Sequence, residues 1–281
     1  MKTLAGKVVL IAGGSGGIGS EVYKKLLLHD AEAIGISRTE NIRLKKYSEN
    51  NSKKYNWIIS DLSLISGWED SLALIKEKFG KIDVLVNCVG VLFPGKVENL
   101  TYGQIEQVIS TTFTSVVIAF KSILPIMKRQ GFGHIINVGS LGGIVPMPQE
   151  SLYCATKFAI RGFSLSLQKE LAGTGINISM ISPGPVFTKM LEVESSDPGS
   201  TIAFVNYPVK ADLVAEKIIH LILYPKPELI SSSGKKAAAQ LLNLFPDLFN
   251  LIYPVLNYIG KRNLYNLTNL LKNFEENLNE N

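Results

Sequence analysis

Residues 12–19 read Ala12-Gly13-Gly14-Ser15-Gly16-Gly17-Ile18-Gly19, directly after the apolar run Val8-Val9-Leu10-Ile11 and just ahead of a segment with helical spacing, Ile18 to His29. Glycine lets a backbone turn sharply and lets a bulky anion come close to main-chain N–H groups. The start of a helix adds free N–H groups and a favourable dipole. A strand, a glycine turn and a helix in that order predict the first unit of an open α/β sheet, with a pyrophosphate seat where the first strand ends.

The rest of the chain repeats the alternation. Short β-branched runs at Lys7 to Ala12, Ala33 to Ser37, Asn56 to Ser60, Ile82 to Val86, His134 to Val138, Ile176 to Ile181 and Leu229 to Ser231 read as strands. Ile18 to His29, Ser66 to Phe79, Gln104 to Arg129, Ser151 to Ala172 and Ala211 to Leu223 have the length and spacing of helices, and Gly80, Gly131 and Gly173 supply stops. The expected fold is α/β and Rossmann-type: a doubly wound, seven-stranded parallel sheet flanked by helices, with an apolar C-terminal helical extension. The boundaries expected are 1–235 for one catalytic and cofactor-binding domain, including a substrate loop at 187–210, and 236–281 for the extension.

Composition narrows the partners. The formal charge is +5, but the 29 Lys and Arg are scattered and no basic run is interleaved with aromatics, which argues against nucleic acid. The excess positive charge suits a phosphorylated cofactor or an anionic membrane face. Cys88 and Cys154 are too few and too far apart for a disulfide framework, so free thiols in a reducing cytoplasm are expected. The first apolar run leads into the glycine turn and not into a cleavage site, so it reads as a strand and not as a secretory signal.

Tyr153 and Lys157, at i and i+4 of a helical segment, share one face, and Ser140 lies just past the fifth strand. The spacing Gly13-x-x-x-Gly17-x-Gly19, then Asp61-Leu62, Asn87-Cys88-Val89-Gly90, Ser140, Tyr153-x-x-x-Lys157 and Pro183-Gly184-Pro185-Val186-Phe187-Thr188 come in an order that resembles the classical short-chain dehydrogenase/reductase family over about residues 5–190. The resemblance implies an NAD(P)-dependent oxidoreductase acting on carbonyl or alcohol groups. It implies cofactor contacts from Gly13, Ser15, Gly17, Ile18, Gly19, Asp61, Leu62, Asn87, Gly90, Tyr153, Lys157, Pro183, Gly184, Val186 and Thr188, with no metal. It further suggests a homodimer or homotetramer. The chain departs from the family at Ala12, where Thr is usual, at Cys88 and Val89, and at Thr112, which stands where an Asn completes the catalytic tetrad.

At the end of the second strand, Ser37-Arg38 occupies the place where an NAD-preferring enzyme carries an acid for the adenosine ribose. A guanidinium there can grip a 2′-phosphate through two hydrogen bonds, which favours NADP(H) over NAD(H). Reduction of a carbonyl needs a proton donor at oxygen, and Tyr153 fits that role. Its phenol, ordinarily near pKa 10, has to fall by roughly 3 units, about 4 kcal/mol, to work near neutrality. An ammonium about 4 Å away supplies roughly that much, and Lys157 is the source expected. Ser140 is expected to hydrogen-bond the substrate oxygen, and with no His beside it a serine-hydrolase reading is poor.

The stretches Ser140-Leu141-Gly142-Gly143 and Tyr153 to Ile160 resemble those of 17β-hydroxysteroid and retinol dehydrogenases in the family, which implies an apolar lipid-, steroid- or retinoid-like substrate. Thr112 motivates an alternative, a non-catalytic NADP(H)-binding regulator. Residues 237–260 carry a single acid, Asp247, between Lys235-Lys236 and Lys261-Arg262. Pro246 and Pro254 predict broken short helices there, serving as a lid or subunit interface ahead of peripheral membrane contact.

Overall fold

The structure, a computed structural model, describes residues 3–231, 241, 242 and 244–279. The boundary expected at 235/236, the Lys235-Lys236 pair and residues 237–240 and 243 lie outside the described residues.

Seven strands, β1 (Val8–Ala12), β2 (Glu32–Ser37), β3 (Asn56–Ile59), β4 (Val84–Asn87), β5 (Gly133–Val138), β6 (Ile176–Ser182) and a last one at Glu228–Ile230, form one parallel sheet. Its order is β3-β2-β1-β4-β5-β6 followed by the last strand. All five residues of β1 are buried, as a central strand covered on both faces requires. The chain winds outward from β1 in both directions, so β1 and β4, paired through Val9 with Val84 and Ala12 with Asn87, mark the switch point. A crevice opens there beyond the carboxyl ends of the strands.

One face of the sheet packs on α3 (Ile65–Phe79), α5 (Ser115–Gln130) and α6 (Ser151–Glu170), through Trp68, Phe120, Ile123 and Ile160. The other packs on α1 (Gly17–Leu28) and α8 (Ala211–Leu223), through Val22, Leu26, Val214 and Ile218. Gly80 and Gly131 close α3 and α5 in the left-handed conformation, as expected.

The helical pattern from Gln104 to Arg129 resolves into α4 (Tyr102–Val108), a wide π-helical turn at Ile109–Thr114 and α5. A Thr101 and Gln104 capping box starts α4. Among the described residues, Tyr102–Gln130 is the one helical stretch long and apolar enough to cross a membrane. Its apolar face, Val116, Ala119, Phe120, Ile123 and Met127, lies in the first core.

Three features depart from the sequence reading. A helix α2 (Ile42–Asn50) follows β2, capped by the Asn41 side chain, which accepts from Leu44 N at 3.1 Å. Only Leu44 and Ser48 of its nine residues are buried, so no strong apolar period announces it. The loop expected at 187–210 contains β7 (Val186–Phe187), α7 (Lys189–Ser195), a 3₁₀ turn at Ile202–Val205 and β8 (Val209–Lys210), with β7 and β8 paired in parallel. That numbering makes the last strand of the main sheet β9 (Glu228–Ile230).

The expectation of broken short helices at the C-terminus meets a break at Phe245, between helical residues 241, 242 and 244 and Pro246, and is corrected at Pro254. Pro246 begins a continuous α9 (Pro246–Asn279), and Pro254 lies inside it. Proline is tolerated in a first turn, where its missing N–H has no partner to lose. Pro254 and Asn250, whose carbonyl loses its helical partner, are both exposed, so that carbonyl faces water. The opposite face of α9 buries Phe249, Leu264 and Leu267 in a third core with Ile144, Leu191 and Phe204. A Cβ on Gly260 would collide with the Thr201 carbonyl, and Asn263 Nδ2 donates to Phe204 O at 2.9 Å. The helix is thereby clamped onto the 202–205 turn.

Candidate functional site

The glycine turn is held by the second strand. Gly13 and Gly14 N–H both donate to Ile36 O, at 2.9 and 3.1 Å, and Gly16 N–H closes back on Gly13 O at 3.0 Å. Gly13 sits at φ +80°, where only glycine is unstrained, and a Cβ on it would lie 3.0 Å from the Cys88 backbone. Side chains at Gly17 and Gly19 would collide with Thr188 and with the Gly13 carbonyl. No side chain caps the start of α1, and its first turn carries no acid. Those N–H groups are therefore available to an anion. A cradle that three Cβ atoms would fill, at an uncapped helix start, fits a dinucleotide pyrophosphate.

Beside the turn, a cavity of about 350 Å³ is lined by Gly13, Ser15, Ser37, Arg38, Asp61 and Leu62. Arg38 is exposed at its rim. The Ser37 hydroxyl is engaged, donating to Thr39 O at 2.6 Å. Asp61 accepts from the Ser63 N–H and hydroxyl, at 2.9 and 2.7 Å. Those bonds hold its carboxyl below the usual range, with a smaller contribution from Arg38. On the other side of the turn, a cleft of about 750 Å³ brings Ser15, Gly17, Ile18 and Gly19 together with Thr188 and three cations, Lys24, Arg43 and Lys189. None of the three was singled out in the sequence. Lys24 occupies an ordinary solvent position of α1, and Arg43 belongs to the helix that the apolar pattern failed to announce.

A third cavity, of about 100 Å³, joins the pyrophosphate turn to the catalytic candidates. Ile18, Gly90, Pro183, Gly184, Val186 and Thr188 line one side, and Ser140, Tyr153 and Lys157 the other. The convergence has a local cause: a Cβ on Gly143 would lie 2.8 Å from Lys157 O, so only glycine lets the turn after Ser140 close onto α6. Ser140 Oγ accepts from Gly142 N at 3.0 Å, which fixes the hydroxyl at the strand end.

Tyr153 is 8% and Lys157 4% exposed. The lysine ammonium donates to Val138 O at 3.0 Å and stands 5.5 Å from the centre of the Tyr153 ring. Burial pulls its pKa down to about 8. The expected drop in the phenol pKa is corrected. Burial, and secondly the nearby Glu194 carboxylate, push Tyr153 above its ordinary value, while a hydrogen bond with Ser140 works the other way. In this arrangement the tyrosine is a firmly protonated phenol.

Two expected contacts lie behind the cleft. Asn87 is 2% exposed and lines none of the three cavities. Its Nδ2 donates to Asn137 Oδ1 at 2.7 Å, across the register pair that joins β4 and β5. Thr112 is fully buried in the π-helical turn, where its hydroxyl accepts from Val91 N–H at 3.2 Å. A Cβ on Gly90 would lie 3.8 Å from Thr112 Oγ1 and 3.5 Å from Lys157 Nζ, so Thr112 backs the wall that Gly90 presents to the lysine.

The remaining walls of the third cavity include Leu92, Leu141, Met147, Met190, Leu191 and Ala203, with Glu194 as the one acid. Sequence reasoning missed these because they come from four separate segments and share no spacing. Among the described residues, no group of three His, Cys, Asp or Glu could hold a metal. Cys88 and Cys154 are free, and burial drives both thiols up to about 12.

Comparison with known proteins adds to this geometry. The profile of the short chain dehydrogenase family matches residues 7–199. An uncharacterized oxidoreductase of Staphylococcus epidermidis is 31% identical over 219 residues, covering 78% of this chain and 92% of its own length. A 3-oxoacyl-(acyl-carrier-protein) reductase of Haemophilus influenzae is 33% identical over 192 residues, 68% of this chain and 78% of that one. A D-beta-hydroxybutyrate dehydrogenase of Rhizobium meliloti is 28% identical, over 78% of this chain and 90% of its own. In structure, a short chain dehydrogenase/reductase from Burkholderia phymatum in complex with NAD superposes with a TM-score of 0.81 at 21% identity, covering 88% of this chain and 96% of that one.

Proposed function

Since the chain belongs to the short-chain dehydrogenase/reductase family and is an NAD(P)-dependent oxidoreductase of CH–OH and C=O groups, we propose that it prefers NADP(H) and reduces the carbonyl of a small, largely apolar compound. The convergence of Ser140, Tyr153 and Lys157 on one cavity with mostly aliphatic walls carries the reading.

The residues divide the work. The N–H groups at the start of α1, with Ser15 and Lys24 nearby, take the pyrophosphate. Arg38 takes the 2′-phosphate at the rim of the adenosine cavity. Pro183, Gly184, Val186 and Thr188 form the wall for the nicotinamide, which when bound supplies or accepts a hydride at the substrate carbon. Ser140 donates to the substrate oxygen and stabilises charge there. Tyr153 gives that oxygen its proton. Lys157, held by the Val138 carbonyl, lowers the cost of the phenolate left behind. Burial and Glu194 keep the phenol protonated until substrate arrives, so the transfer itself depends on Lys157 and Ser140 to stabilise the phenolate that forms. Thr112 supports the lysine through Gly90 and Val91 in place of an Asn, and the intact Ser140, Tyr153 and Lys157 argue against a purely regulatory protein.

The C-terminal helix fits a lid role in this reading, because it clamps the turn that contributes Ala203 to the cavity. Its outer face exposes Leu251, Val255 and Tyr258 ahead of Lys261 and Arg262, which suits a subunit contact or a peripheral membrane contact in addition.

Titration with NADPH and NADH, followed by turnover of ketones from short-chain to steroid size, tests the reading. NADPH should bind more tightly, and Arg38→Ala should cost it about tenfold while leaving NADH within a factor of two, since an exposed phosphate contact is worth about 1.4 kcal/mol. Tyr153→Phe should lower kcat about 1,000-fold with nucleotide binding intact. Equal affinity for both nucleotides would remove the Arg38 assignment, and full turnover by Tyr153→Phe would remove the proposed acid.

A further inference from the structure

One ionisable group in the substrate cavity neither gives nor takes the transferred proton, although its charge acts on Tyr153. Glu194, near the end of α7, lines the cavity with Tyr153, Met190 and Leu191. Behind it lies Glu150, the residue before α6, only 2% exposed, whose carboxylate oxygens form no well-aligned hydrogen bond and have the Ser200 hydroxyl as the neighbouring donor. The Ser200 hydroxyl is 1% exposed and acts on Glu150 in the lowering direction, which burial and Glu194 outweigh. With both acids ionised neither can donate; with one protonated the two carboxyls hydrogen-bond to each other.

The backbone holds Glu150 in this place. Gln149, just before it, adopts φ +67°, a left-handed conformation that costs a non-glycine residue about 1–2 kcal/mol. A tight contact with Gly199 and a hydrogen bond from Gly95 N–H to Gln149 O at 2.7 Å keep it there. Backbone strain kept in place beside a cavity points to a task for the residue it aims. The ionisable groups acting on the pair are Tyr153 and Cys154 of α6 and Asp197 after α7, and none is a cation.

We propose that Glu194 and Glu150 share one proton and act as the specificity-determining wall of the substrate cavity, excluding carboxylate-bearing carbonyl compounds and seating a neutral hydroxyl or amide carried by an otherwise apolar substrate. The inference rests on reading this cavity as the substrate site. A shared proton lets the wall both donate and accept, which suits a hydroxyl or amide in an aliphatic surround. A carboxylate would meet the pair's one negative charge on a wall with no cation of its own, and the Lys157 ammonium, which also lines the cavity, is engaged by the Val138 carbonyl. Burial keeps both carboxyls above the ordinary carboxylate range, as a pair holding one proton at neutral pH requires.

A medium-chain keto acid and its primary amide, alike except for charge, decide the matter. Their dissociation constants on the enzyme–NADPH complex are measured by calorimetry, and turnover is followed separately. The wild type should favour the amide by about 100-fold, the scale of an unrelieved like-charge contact. Glu194→Gln should shrink that ratio at least about tenfold by admitting the acid, with the amide moving less than about threefold. Glu150→Gln should leave the acid excluded and reduce the pH dependence of the ratio to a single step, the titration of Glu194, which burial still holds above the ordinary carboxyl range. A wild type that binds acid and amide alike, a ratio unchanged by Glu194→Gln, or no binding of either compound overturns the proposal. Binding discrimination without turnover of any ketone upholds the carboxyl pair and counts against the reductase reading instead.

Discussion

The nucleotide half and the substrate wall bury their acids in opposite ways. At the foot of the sheet Asp83 is buried, but it accepts from Val8 N–H at 2.9 Å and pairs with Lys7 and Lys81, both at 2.9 Å. Burial alone would raise its pKa, and those hydrogen bonds outweigh it, so the carboxyl stays below its usual range. At the proposed substrate wall a half-buried Glu194 lies against the buried Glu150, and both are raised. The first arrangement ties chain segments together and leaves no chemistry over. The second leaves a polar group exposed to whatever enters the cavity, at some cost in stability. The same contrast runs through the packing. The nucleotide turn is braced by backbone contacts that no residue but glycine permits, whereas the substrate wall is assembled from short elements and held by α9.

Breaking each region separately should expose the difference. The largest effect is expected from Gly19→Ala. Alanine favours a helix by about 1 kcal/mol over glycine, yet here its Cβ collides with the Gly13 carbonyl. Overpacking of that kind costs about 1–3 kcal/mol, so NADPH affinity measured by fluorescence titration should fall about 10- to 100-fold. Unchanged affinity would mean the turn is more pliant than its packing implies.

Gly260→Val is the matching change at the substrate wall. Its side chain pushes α9 off Thr201. KM for an apolar ketone should rise about threefold to tenfold, by about 1 kcal/mol, while NADPH affinity stays within a factor of two. Parallel loss of both would show that the two regions are not separable.

The smallest effect is on stability against pH, and its sign differs between the regions. Asp83, with a lowered folded pKa, contributes stability that is present above the ordinary carboxyl range near 4 and lost as pH falls through the folded value. Glu150 and Glu194, with raised folded values, make the folded state hold more protons than the unfolded chain, so their contribution declines as pH rises above about 5. Urea midpoints between pH 5 and 9 should therefore fall less steeply with pH in Glu150→Gln than in the wild type, by about 1 kcal/mol across the range. Identical slopes would dispose of the shared proton.

Most of the fold and the outline of the site could be read in the residues. The apolar runs fall in β1 to β6 and β9, because a strand buried on both faces has to be continuously apolar. The glycine turn, Ser140, Tyr153 and Lys157 were recognisable because each depends on local spacing: a turn, a strand end, one face of a helix. What escaped depends on distance. Asn87 looked like a cleft residue and proved to be a buried clasp on Asn137, since its partner lies 50 positions away. The fall expected in the Tyr153 pKa turned into a rise, because burial and Glu194 outweigh what an i+4 lysine implies when that lysine is turned to a carbonyl.

By itself the sequence determined the parallel sheet, the glycine turn at its crevice and the nearness of Ser140, Tyr153 and Lys157, because hydrophobic period, glycine conformation and helix spacing act over a few residues. Only the tertiary structure decided the shape and charge of the substrate wall. Met147, Glu150, Glu194 and Ala203 meet there through a strained Gln149, a two-strand ladder and a helix clamped by Gly260. Contacts between such distant segments, and the burial that sets their protonation, are properties of the packed chain, and no local stretch of residues encodes them alone.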